Sequence, residues 1–136
     1  MAETLAAHHD TTLATVPVGY CCDVSHGHAD MSGRVQHSNM ELLATALPYC
    51  REIHLKNTDH QFGSTFGFGE RDRERGIVDI SAVVCLIVSN ADRLPTRRLI
   101  GYFEIGGPKL GRDYSDYRLE QQLRESLRYL KEVFGN

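Results

Sequence analysis

Short apolar runs alternate along the chain with longer stretches of helical period. PVGYCC, from Pro17 to Cys22, is a compact apolar run of strand length. The polar, glycine- and histidine-rich stretch DVSHGHADMSGR follows and reads as a loop. NMELLATALPYC then carries Met40, Leu43, Ala44 and Leu47 on one helical face, with Ser38 or Asn39 as its cap. A second strand is expected at Glu52 to Leu55. The long polar stretch KNTDHQFGSTFGFGERDRERG reads as a loop, and loops of that length are usually functional or mobile.

From Ile77 to Asn90 the apolar positions Ile80, Val83, Val84, Ile87 and Val88 recur at helical spacing and run on to Ala91, with Pro95 marking the end. LIGYFEI, Leu99 to Ile105, is the third expected strand. An amphipathic helix from Asp116 to Phe134 closes the chain, its inner stripe being Leu119, Leu123, Leu127, Leu130 and Phe134. Glu3 to His8 reads as a short helix. The order is strand, helix, three times over, which indicates an α/β fold with parallel strands and right-handed crossovers. All 136 residues are expected to form one domain, with no linker between parts.

Composition narrows the function classes. A net charge of -3 argues against a nucleic-acid binder, which usually shows a basic face. No apolar run reaches the roughly 18 residues that a membrane helix needs. The start, MAETLAAHHD, lacks the pattern of a signal peptide. Cys21, Cys22, Cys50 and Cys85 lie in apolar runs with no CxxC pair, and are expected to be reduced, buried thiols of a cytoplasmic protein.

Each strand ends in polar chemistry. Asp23 and His26 follow the first. His54 ends the second, with Lys56, Asn57, Asp59 and His60 after it. Glu104 lies near the end of the third, ahead of Lys109 and Arg112. Parallel strands bring these ends to one edge of the sheet, where active sites of α/β proteins gather. Asp23, His54 and Glu104 are therefore candidate ligands for one divalent cation. One imidazole and two carboxylates favour Mn2+, with Mg2+, Co2+ or Zn2+ as alternatives.

Each residue also has a plainer reading. Glu104 could be neutralised by Lys56 or Arg112, His54 could be a core histidine, and Asp23 a cap or turn residue. GGPKLGRDYSD, with Lys109 and Arg112 among glycines, has the makings of an anion cradle or of a structural turn. The run ERDRER, Glu70 to Arg75, reads as a solvated loop, with a substrate-contacting arginine as the alternative.

YCCDVSHGHA, EIHLKNTD and GYFEIGGPKLGRDYSD together resemble the xylose-isomerase-like (β/α)8 TIM barrels, in particular the sugar phosphate isomerase/epimerase family. The resemblance runs from about Pro17 to the end and implies the C-terminal three βα units of such a barrel. It implies metal ligation by Asp23, His54 and Glu104, and substrate binding by His26 in an Asp-x-x-His motif. Glu104 would also be one of two glutamates that act as the acid/base pair. The implied reaction moves a proton beside a carbonyl through an enediolate in a small sugar or sugar phosphate.

The family's first glutamate has no counterpart in the sixteen residues before Pro17. A whole barrel needs eight strands and about 250 residues. The chain is thus expected to be truncated, and to self-associate or pair with an upstream half-barrel. Two alternatives follow. One is an inactive remnant that acts through partner binding. The other is an endonuclease IV-like metal hydrolase, whose strand ends are superficially similar but whose substrate suits an acidic chain poorly.

Overall fold

A computed structural model describes residues 19–106 and 117–135. Its elements are β1 (Tyr20–Asp23), β2 (His28–Ala29), β3 (Val35–His37), α1 (Asn39–Ala46), β4 (Cys50–Leu55), α2 (Glu70–Arg75), α3 (Ile80–Ser89), β5 (Ile100–Phe103) and α4 (Tyr117–Phe134). Short 3-10 turns at Leu47–Tyr49 and Ala91–Arg93 follow α1 and α3. The fold is mixed α/β. Its main sheet has three parallel strands in the order β1-β4-β5, and β2 and β3 form a separate antiparallel hairpin.

The strand register sorts the side chains into two faces. Cys21, Glu52 and Ile100 stand level, as do Asp23, His54 and Tyr102 one pleat further on. Side chains two apart share a face, so both rows point the same way. The residues between them, Cys22, Ile53 and Leu55, are buried on the other face. They meet Leu43 and Leu47 at and just after α1, Ile80 and Val83 of α3, and Leu130 of α4 in one core with Val24 and Phe68. Helices therefore cover one face of the sheet. The other keeps Tyr102 and Ile100 nearly half exposed.

Local chemistry sets the helix starts. The Ser38 hydroxyl accepts from the Glu41 amide, and the Glu41 carboxylate accepts from the Ser38 amide, a reciprocal capping box. Ser38 is thus the cap of α1. Asn39 is buried instead and donates its amide to the Val24 carbonyl at 2.8 Å, joining α1 to the end of β1. Asp79 caps α3 by accepting from the Ala82 amide.

Several expectations need correction. The loop after β1 contains the β2–β3 hairpin, too short to leave a period in the sequence. The charged run Glu70 to Arg75 is the helix α2, and Asp72 within it is buried, paired with Arg75 at 2.6 Å. Helix α3 begins three residues later than Ile77, because the Ile77 and Val78 amides are bonded to the Thr58 carbonyl and Asn57 Oδ1. Val88 faces outward. Cys22 and Cys50 are buried, but Cys21 and Cys85 are exposed; all four are free thiols. In α4 the buried stripe runs through Leu119, Ser126 and Leu130, while Leu127 and Phe134 are exposed. The expected helix at Glu3 to His8 lies outside the described residues. Among the described residues no helix is long and apolar enough to cross a membrane.

Candidate metal centre

β1, β4 and β5 deliver one candidate ligand each to the open face. Asp23 is the last residue of β1 and stands level with His54 of β4. Glu104 follows β5, and its amide donates to the Leu55 carbonyl at 3.0 Å, which continues the sheet by one more rung. That rung puts Glu104 two residues past Tyr102 and on the same face as His54. One ligand atom from each of Asp23, His54 and Glu104 lies within 4.8 Å of the other two.

Ligand atoms about 2.1 Å from one ion sit roughly 3 Å apart. His54 Nδ1 and Glu104 Oε2 already stand 3.0 Å apart. The set is also accessible: the His54 and Glu104 side chains are about 40% exposed, and Asp23 is 11% exposed. Donor type, spacing and access therefore fit a hard or borderline divalent cation.

Asp23 divides its work between two oxygens. Oδ1 accepts from the Ser25 amide at 2.8 Å and the Ser25 hydroxyl at 2.7 Å, which fixes the turn that leaves β1. Oδ2 faces the site, 3.2 Å from both Lys56 Nζ and His26 Nε2. The turn reading and the ligand reading of Asp23 both hold, on different atoms. His26 is well exposed, and its Nε2 meets the cluster at Asp23 Oδ2.

Lys56 is the residue whose position the sequence left least defined. Its side chain is only 12% exposed, and its ammonium also approaches Glu104 Oε1 at 3.7 Å. The ion pair between Glu104 and Lys56 is thus present within the same cluster that could take a metal. Alternation carries the signal: Lys56 is two residues after His54 and shares its face. Nothing in the sequence pattern marks Tyr102. Its ring meets the His54 ring edge to face, centroids 6.0 Å apart.

The polar residues after Lys56 turn away from the cluster. Buried Asn57 accepts from the Thr58 and Val78 amides and donates to the Asp72 carbonyl, organising the loop behind the site. Asp59 gathers the Gln61 and Gly63 amides and the Ser64 hydroxyl. The Ser64 contact, helped by those amides, holds its carboxyl below the ordinary value. Gly27 lets the Phe62 ring lie against the backbone of the turn after β1; a Cβ there would stand 2.2 Å from that ring. The two loops that border the site are thereby tied together. A cleft of about 420 Å³ opens beside Asp23 and His26, between β1 and α1. Lys109 and Arg112, the expected anion cradle, lie outside the described residues.

No protein-family profile, curated protein or solved structure matches this chain.

Proposed function

We propose that the chain carries the metal site of a sugar or sugar phosphate isomerase/epimerase, built on three consecutive βα units of a (β/α)8 barrel wall. One observation carries the reading: three parallel neighbouring strands each present one metal-ligating side chain at their C-terminal ends, on the face that no helix among the described residues covers. Chain-order strand neighbours, helices on one face and chemistry on the other also suit a barrel wall.

In this reading Asp23, His54 and Glu104 hold the cation, Mn2+ being the first choice for their donor set. When bound, such an ion polarises adjacent substrate oxygens and lowers the energy of negative charge that develops on them. Glu104, with its carboxylate half exposed, takes up or returns the proton beside the carbonyl. His26 and Lys56 flank the same oxygen of Asp23 and can orient substrate hydroxyls. Lys109 and Arg112 would hold a phosphate or a terminal oxygen.

A second reading has its own support. Ile100 and Tyr102 on the open face are each more than two-fifths exposed, and among the described residues β1 and β5 have no further strand partner. Such a surface suits association with a second copy or with further barrel strands, either to complete the site or as a purely binding role.

Calorimetric titration of the folded chain with Mn2+, beside Glu104→Ala, separates the two. About one ion per chain, lost in the variant, supports the metal centre. Solvent deuterium should then enter ketose or ketose phosphate substrates at the carbon next to the carbonyl. A folded chain that takes up no Mn2+ removes a metal centre from this chain on its own and leaves the exposed surface, either to complete the site with further strands or to bind.

A further inference from the structure

Asp23 Oδ2 already has a cation. Lys56 Nζ lies 3.2 Å from it and 3.7 Å from Glu104 Oε1, so one ammonium bridges two of the three candidate ligands. Its side chain is nearly buried, in contrast to the solvated lysines of an ordinary surface pair. An ion bonded to Oδ2 at about 2.1 Å would stand within roughly 5 Å of that ammonium if Lys56 did not move. Like charges at that separation, in a partly dehydrated site, repel strongly. Lys56 and a metal also approach the same oxygen.

We infer that Lys56 is a resident counter-ion that competes with the divalent cation for the Asp23–Glu104 pair. The inference rests on the metal-centre reading and adds a regulation of that site. With no metal, the ammonium keeps two neighbouring carboxylates from repelling each other. Metal enters by displacing it from Oδ2, and the affinity of the site is set by that exchange. The occupied and lysine-closed states are therefore mutually exclusive at Asp23.

The test is Mn2+ calorimetry at fixed ionic strength on the full chain, Lys56→Met, Lys56→Gln and Lys56→Arg. The neutral variants should bind at least tenfold more tightly than the parent chain, and Lys56→Arg no more tightly than the parent. Lys56→Gln guards against a fold that does not tolerate Met. Mn2+ should also raise its melting temperature further than that of the parent at equal concentration. Parent binding that the neutral variants match or weaken overturns the competition and leaves the metal centre standing. Binding by the neutral variants alone upholds the competition and removes the metal centre from the native chain. No binding by any of the four overturns both.

Discussion

Asp23 and His54 stand level on neighbouring parallel strands, yet each looks away from the other for its partner. Asp23 Oδ2 turns to Lys56 and His26, and His54 Nδ1 to Glu104 Oε2. Lys56, reaching both carboxylates, joins the two halves. The cluster is thus one connected polar network, and it contains three side chains of metal-ligating type.

That division of Asp23 between turn and site gives a separable pair of variants. Asp23→Asn keeps an acceptor for the Ser25 amide and hydroxyl but removes the charge. It should abolish measurable Mn2+ binding while shifting the urea midpoint little. Asp23→Ala also leaves the Ser25 amide without its acceptor, and should lose about 1–3 kcal/mol of stability on top. Equal loss of stability in both variants would assign Asp23 to folding through its charge.

Asn57 is the residue on which the loop behind the site depends. It is fully buried, and its amide serves the Thr58 and Val78 backbone N–H groups and the Asp72 carbonyl. Asn57→Ala would leave three buried backbone groups without those partners, a cost of about 3 kcal/mol by urea unfolding. Gly76 is the matching requirement, since a Cβ there would meet Asn57 Nδ2 at 2.1 Å. Gly76→Ala should destabilise to a similar degree, and the double variant should cost less than the sum of the two.

The order of the three parallel strands, and the gathering of Asp23, His54 and Glu104 at one edge of the sheet, were legible because both follow from period and from strand direction. Asp23, His54 and Glu104 sit where that logic expects them. Lys56 is harder: alternation puts it on the face of His54 and makes it a possible partner of Glu104, but a lysine after a strand usually reaches solvent, so its near-burial between Asp23 and Glu104 is not legible. ERDRER reads as a solvated loop because its charges hide that Asp72 is satisfied internally. It accepts from Arg75 and from the Gly67 amide, and so can be buried.

Ser126 misled in the same way. A hydrophobic count chooses Leu127 for the inner stripe of α4, yet Ser126 is the residue inside. Its hydroxyl accepts the Phe68 amide at 2.8 Å, and Phe68 fills the core beside Tyr129. A leucine could not satisfy that buried amide. Ser126→Ala should lower stability by about 1–3 kcal/mol. Leu127→Ala, on the exposed side, should cost well under half as much; the reverse ranking in thermal melts would mean that α4 is rotated in solution.

The cysteines give a test of the fold that needs no ligand. Cys22 and Cys50 lie in contact in the core, from β1 and β4, whereas Cys21 and Cys85 are exposed. Contact with Cys50, together with burial, pushes the Cys22 thiol up, which makes it a poor nucleophile. Burial, then the Glu52 carboxylate, also pushes the Cys21 thiol up, though it sits at the open face. An aromatic disulfide reagent at mildly alkaline pH should therefore label Cys85 first and Cys21 more slowly. Cys22 and Cys50 should react only after the chain is unfolded in guanidinium. Cys85→Ser should remove the fast phase and leave the slow one. Four thiols reacting at one rate without denaturant would mean that the sheet face carrying Cys22 and Cys50 is not the packed one.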